Sequence, residues 1–416
     1  MRKLTCLTVL LLTVAMLFAV NVQAEKVKLL WTTCCGQADR AVLFQKIAQD
    51  YMALHPDVEI EWRNPAGDYT ANMVTYFATN TAPDVFWIGA AIWNFIDMVL
   101  PLNDFVEKDA GAQAINPAVR ALAAYQGKQI GLPYGANVNT IMYNKDHFSQ
   151  AGLNPPTASW TWDDLIQMAR QLTVDTNGDG KIDRGGAQFV HHQYWMLTAG
   201  GDFYTPDLRR VQIANAANAF MVQMQADMSS GILPIMFQPY NSNAGIEGLA
   251  AMTNIGIFDL PKYQQAPFSW DIQKFPTLVV DGQRYENTYV TLEQWAISRQ
   301  TKHPDVALDF LSFLLSREAM TQITESRIVI PTQNIMASRF IQQPPPPENY
   351  LAFMEGLNHG HQIILGHPYG TTLYNWARQQ PLWNNMWSGA IPARTALQEL
   401  QDTLNKQLDQ YWASVN

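Results

Sequence analysis

A chain of 416 residues with 36 acidic against 27 basic side chains carries a formal charge of −9. That sign argues against nucleic acid and against anionic membrane surfaces, both of which select cationic faces. The length exceeds the roughly 250–300 residues that a single hydrophobic core serves, so two domains are expected.

The opening segment, MRKLTCLTVLLLTVAMLFAVNVQA, has Arg2 and Lys3 first, an apolar run from Leu7 to Val20, and Val22-Gln23-Ala24 last. A basic start, a short apolar middle and an A-x-A-like end describe a cleaved secretory signal over residues 1–24. The run is shorter than the ~20 residues that span a bilayer, and Cys6 stands too early for the acylated cysteine of a lipoprotein. A soluble, exported chain starting at Glu25 is expected; without Arg2 and Lys3 its formal charge moves from −9 to −11. Cys6 leaves with the signal, so Cys34 and Cys35 have only each other. Export takes thiols into an oxidising compartment. Neighbouring Cα atoms lie about 3.8 Å apart, closer than the roughly 4.4–6.8 Å usual for a disulfide. Two readings stand side by side: a strained vicinal disulfide forming a rigid apolar plate at the tip of the first strand, or two buried reduced thiols acting as small hydrophobes.

Val27, Leu29 and Trp31 alternate as a strand; Leu43, Phe44, Ile47, Tyr51 and Leu54 recur at helical spacing; Val58, Ile60 and Trp62 alternate again. This is a β-α-β unit with parallel strands. A helix near 70–80 and a buried strand, APDVFWIG, follow, then KQIGLPYGANVNTIMYNKD as strand, Pro-Gly break and second strand. Thr161 caps a helix over Trp162–Thr173. In DTNGDGKID, Asp175, Asn177, Asp179, Lys181 (through its carbonyl) and Asp183 occupy positions 1, 3, 5, 7 and 9 of an EF-hand-like loop, with Gly180 at the turn and Gly186 at position 12. A structural calcium ion is the possible cofactor there, and none is otherwise required. Helices are expected near 194–200, 210–230 and 244–252. TNIGIFDL, KFPTLVV and YVTLEQWAIS read as strands, 304–321 as a helix, and the stripe Leu397, Leu400, Leu404, Leu408 and Trp412 as the closing helix. Pro344–Pro347 reads as a stiff extended segment. Strands alternating with helices make this an α/β protein with mainly parallel sheets.

Three segments carry a resemblance. GKQIGLPYGANVNTIMYNKDHFSQAGLNPPTASWTWDDLIQMARQLT (127–173) resembles the family 1 extracellular solute-binding proteins of carbohydrate ABC importers, the maltose- and trehalose-binding group. APDVFWIGAAIWNFIDMVLPLNDF (82–105) and HPDVALDFLSFLLSREAMTQIT with IVIPTQ (303–333) are similar to flanking parts of that family. The resemblance implies a two-lobed periplasmic binding protein fold, each lobe a mainly parallel sheet flanked by helices, with the ligand cleft between lobes. It places residues 25–135 plus 292–335 in an N-terminal lobe and 136–291 plus 336–416 in a C-terminal lobe. It also implies a non-enzymatic monomer of the periplasm that closes over a sugar or polyol and hands it to the permease subunits of a membrane transporter.

Ligand sites in such sheets lie beyond the carboxyl ends of strands. After the first strand these positions are Thr32, Thr33, Cys34, Cys35 and Gln37; after the third, Trp87, Ala90 and Trp93. Gly89, Ala90 and Ala91 stand where the family carries charged sugar contacts, so a smaller or less hydroxyl-rich ligand is expected. The resemblance implies that Asn137 occupies a sugar-contacting position and that His191, His192, Gln193, Tyr194 and Trp195 form the second-lobe contact region. By the same likeness Phe258 and Trp376 are stacking rings. Two rival classes stay open: a secreted carbohydrate-active enzyme, which needs two carboxylates about 5–10 Å apart, and a receptor for a phosphorylated polyol or other non-sugar, which needs Arg or Lys in the cleft.

Overall fold

The computed structural model describes residues 25–34, 38–89, 95–362, 367 and 369–415. Its strands, in chain order, are β1 (Val27–Thr32), β2 (Val58–Arg63), β3 (Val85–Trp87), β4 (Ala124–Tyr125), β5 (Lys128–Gln129), β6 (Leu132–Asn144) and β7 (Gly185–Gln188). There follow β8 (Ala250–Gly256), β9 (Trp270–Gln273), β10 (Leu278–Val280), β11 (Gln283–Tyr285), β12 (Thr288–Ile297), β13 (Ile330–Pro331) and β14 (Gly360–Gln362). One sheet runs β2-β1-β3-β12-β6-β8-β7, with β9 and β13 also on β6 and β14 on β12. β1 pairs parallel with β2 and β3, and β7 parallel with β8. The seam is antiparallel: β12 against β3 and β6, and β6 against β8 and β9.

β6 explains the two-lobed shape. It is 13 residues long and buried throughout, about 40 Å at strand rise, too long for one side of the molecule. Its first half pairs with β12 and β13, its second half with β8 and β9. β12 likewise runs from β14 at Thr288–Val290 to β3 at Trp295–Ile297. The expected lobe divisions at 135/136 and 291/292 fall inside these two continuous strands.

Each side has its own aromatic core. On the β1 side Trp31 meets Phe44, Trp295 and Phe310 edge-on at 5.2–5.3 Å, and Tyr134 stacks on Trp295 at 4.3 Å. On the β7 side Trp162 and Trp195 stack at 5.8 Å, with Phe189 and Phe275 against them. The helices follow the spacing in most places. Thr161 and Asp164 form a reciprocal cap on Trp162–Leu172, each accepting the other's backbone N–H.

Three expectations change. Residues 250–252, the end of the helix expected near 244–252, instead open strand β8 and run on into the strand expected from Thr253, because the turn at Gly248 (φ 71°) delivers Ala250 and Ala251 between β6 and β7. The helix expected over 304–321 is two, Pro304–Leu314 and Arg317–Glu325, since Ser316 caps the second through Ala319 N–H. The strand expected in KFPTLVV contracts to β10, half of a hairpin with β11.

Candidate functional site

Thr291 stands opposite Asn137 and Val290 opposite Val138 across β12 and β6. Successive side chains of a strand face opposite ways, so this register sorts the seam into two faces. Ala136, Val138, Val290 and Leu292 face one side and pack with Ile255, Ile330 and Phe353. Asn137, Asn139, Tyr289, Thr291 and Glu293 share the other side. A polar and aromatic face on the strands that carry the chain between lobes is the candidate floor of an inter-lobe cleft.

Glu293 organises the β3 end of this floor. Its Oε1 accepts from Asn137 Nδ2 at 2.7 Å, and its Oε2 from Trp87 Nε1 and, at 3.4 Å, the Tyr134 hydroxyl. The Arg40 guanidinium lies 3.7 Å away, and both charged groups are buried. A buried ion pair offsets its desolvation only when further hydrogen bonds complete it, and the three donors do so here. The pair also cancels the charge of the floor. Trp87 folds over Gly89, where a Cβ would overlap the ring, and meets Tyr69 edge-on at 5.3 Å. Cys34 is buried in the same cluster with Tyr69, Phe86 and Ile88. It is disulfide-bonded, to a partner outside the described residues. Cys35, Gln37, Ala90 and Trp93 also lie outside them.

At the opposite end, Asn139 Oδ1 accepts from Asn254 Nδ2 at 3.2 Å, and Asn254 Oδ1 accepts from the Val190 N–H at 2.8 Å. Gly256 stands opposite Asn139, and a Cβ on it would meet the Phe258 ring at 2.4 Å. Phe258 therefore covers the Asn139 side of the sheet, with 38% of its surface exposed, a ring free to stack on a flat apolar ligand face. Tyr194 stacks with Tyr289 at 6.1 Å and leans on Tyr374 at 5.3 Å. Burial raises the Tyr289 and Tyr374 phenols above their ordinary range, so both keep their protons.

Trp87, Asn137, Tyr194 and Phe258 thus lie along one surface, and Cys34 is buried in the cluster on which Trp87 packs. Two expected residues do not. His192 turns to Trp387, meeting its ring edge-on at 4.9 Å. Trp376 is half-buried against the β7-side core, and the helix Gly370–Arg378 sends Tyr374 into the ring stack instead. Arg40, Asn254, Tyr289, Glu293 and Tyr374 are candidate site residues that the sequence reading passed over. The alternation along Tyr289-Val290-Thr291-Leu292-Glu293 was a visible signal for the face of Tyr289 and Glu293 alone.

The acidic loop spends its oxygens on itself. Asp175 accepts the N–H groups of Gly178 and Gly180 at 2.7 and 2.9 Å, Asn177 that of Asp179, Asp179 that of Lys181, and Asp183 that of Thr176. The Gly180 N–H, with the others, holds the Asp175 carboxyl below its usual range. Position 12 is closed to a ligand side chain, because a Cβ on Gly186 would lie 1.8 Å from the Ala169 carbonyl oxygen. Among the described residues, no three His, Cys, Asp or Glu side chains gather as a metal site.

The family model for bacterial extracellular solute-binding proteins matches residues 37–321. The chain belongs to this family. Among curated solute-binding relatives, the maltotriose-binding protein of Pyrococcus abyssi is 23% identical over 299 residues, 69% of this chain and 62% of that one. The sn-glycerol-3-phosphate-binding periplasmic protein of Escherichia coli (strain K12) is 29% identical over 164 residues, 36% of each chain. The chain thus spans under two thirds of the length of either relative. Among solved solute-binding structures, the ABC substrate-binding protein of Listeria monocytogenes in complex with cycloalternan superposes with a TM-score of 0.77. It is 20% identical, with 92% of this chain and 100% of that chain covered. The cyclic α-maltosyl-1,6-maltose binding protein of Arthrobacter globiformis gives the same four values. These likenesses establish the fold.

Proposed function

We propose that this solute-binding protein captures a neutral sugar or sugar-derived polyol between its lobes and delivers it, unaltered, to the membrane permease of an ABC importer. One observation carries the reading: the strands that join the lobes present a face of amides, hydroxyls and rings whose one carboxylate, Glu293, is paired with Arg40. Amides match hydroxyl rims, and rings match C–H faces. A ligand touching both lobes stabilises the closed form over the open one, and only that difference in affinity shifts the equilibrium. The relatives named above are binding proteins, which supports capture without turnover. No helix among the described residues is long and apolar enough to cross a membrane. The receptor of this reading is a periplasmic monomer without a required cofactor. Calorimetry and small-angle scattering with mono-, di- and trisaccharides test it. Saturable binding with a smaller radius of gyration is expected; product formation would favour an enzyme instead.

A phosphorylated polyol is the second reading, supported by the glycerol-phosphate-binding relative. Against it, Arg40, the floor's cation, is already engaged by Glu293. Glycerol 3-phosphate belongs in the same titration series, and preference for it over every neutral sugar would reverse the order. For Cys34 we propose the adjacent Cys35 as disulfide partner. Alkylation of the secreted protein without reductant should then add no mass; two adducts would exclude the bond.

A further inference from the structure

Asn137 and Asn139 stand two residues apart on one face of β6, roughly 7 Å at strand rise. An amide side chain has an acceptor end and a donor end, and its neighbours decide which end is presented. At Asn137 the neighbour is the Glu293 carboxylate, paired with Arg40, which can only accept. It takes Asn137 Nδ2 at 2.7 Å, so the amide oxygen turns the other way. That oxygen is buried and has no hydrogen-bond partner among the described residues. At Asn139 the order is reversed, and it starts from the backbone. The Val190 N–H, which can only donate, goes to Asn254 Oδ1 at 2.8 Å. Asn254 Nδ2 is thereby left for Asn139 and donates to its Oδ1 at 3.2 Å. With its oxygen engaged, Asn139 presents its N–H end.

Neither amide can turn round without losing a bond to a group of fixed polarity. Burial strengthens both constraints: Asn137 is 7% exposed, Asn139 8% and Asn254 2%. A buried acceptor without a donor is costly, and folded proteins seldom keep one; at Asn137 a bound guest would supply the missing hydrogen. Tyr289 and Thr291, on the same face, are only half-buried, so the floor is not sealed.

We infer that Glu293 and Asn254 are positioning residues that set the two floor asparagines in opposite senses, Asn137 as acceptor and Asn139 as donor. The inference rests on the proposed function and deepens it, by fixing the polarity that the ligand must show. The ligand group over Asn137 has a hydrogen to give, and the group over Asn139 a lone pair to receive one. A hydroxyl serves at either place. An acetal or ring oxygen, which only accepts, lies toward Asn139. A carboxylate or a fully ionised phosphate is rejected over Asn137, having no hydrogen to give.

Calorimetry on the full chain with glucose, mannose, maltose and maltotriose tests this, with circular dichroism to verify that each variant is folded. Asn137→Leu deletes the acceptor at nearly constant volume, and affinity for the sugars that bind should fall about tenfold. Asn137→Asp sets a carboxylate against Glu293 and should lose as much. Adding Glu293→Gln gives the new carboxylate an amide donor while an oxygen still faces the ligand, so the double variant should recover most of that loss. Asn254→Asp accepts from both the Val190 N–H and the Asn139 amide, which turns Asn139 round; a loss of about tenfold is expected. Parental affinity in Asn137→Leu or in Asn254→Asp would overturn the inference. So would a double variant no better than Asn137→Asp, the result expected if Glu293 were merely structural. A parent that binds none of the four sugars would instead remove the proposed function, a result distinct from a parent that binds while its variants do not differ.

Discussion

Glu293 is the residue on which the floor of the cleft converges. It accepts from side chains at positions 87, 134 and 137 and faces a cation at position 40. Glu293→Gln keeps the shape and deletes the countercharge of Arg40. Breaking one half of a buried pair costs about 3–5 kcal/mol, which should appear as a lower urea midpoint at unchanged slope. Adding Arg40→Met should restore most of that loss, because a buried pair replaced by apolar groups is often near neutral. A double variant no more stable than Glu293→Gln would show the two are uncoupled. At this scale the sequence was half legible. Trp87 stood out by residue type and by its position at a strand end, and Asn137 through the family resemblance. Arg40 and Glu293 looked like ordinary surface charges, since nothing local reveals that residues 253 positions apart meet under a tryptophan.

Among elements, β6 and β12 do more than any helix, because they are shared by both halves and their register alone separates core face from cleft face. Both were recognised as strands from alternation and β-branched content. Their continuity through the seam was not, since Pro133 and Gly135 read as a break. In the structure Gly135 sits where a Cβ would overlap Val329, so its smallness serves close packing within the strand. The short helices over 334–341, 351–358 and 381–387 escaped the spacing analysis; a helix of two turns shows too few apolar repeats to declare a period. The loop 175–183 gives an element-scale prediction. It can offer a calcium ion at most its own five oxygen-bearing positions and water, because Gly186 cannot be replaced by a carboxylate. A structural calcium ion, if bound, should therefore be weak, with Kd no better than about 10⁻⁴ M, the range of extracellular modules. Calcium calorimetry with an EDTA-reversed melting shift checks it. Micromolar binding would require a carboxylate from elsewhere in the chain.

For the whole molecule, acid should act through buried imidazoles. His147, His192 and His367 are each lowered to about 4, chiefly by burial. The unfolded chain takes up these protons near pH 6.5 while the folded chain does not until near 4. Stability is therefore full above about 6.5 and is lost as the pH falls through that window. Asp259 and Asp271, raised by burial, work in the opposite sense. The difference between the parent and His367→Gln isolates the imidazole contribution. Melting temperature against pH should decline less steeply in the variant between 6.5 and 4.5, and parallel curves would contradict the assignment.

Class, order of elements and family were readable from the chain alone. They depend on periodicity, composition and short contiguous signatures, all of which survive in one dimension. The cleft floor, the Arg40–Glu293 pair, the choice of Tyr374 over Trp376 and the turn of His192 toward Trp387 were decided only in three dimensions. Each depends on strand register or on contacts between distant segments, where a shift of one residue sends a side chain to the opposite face.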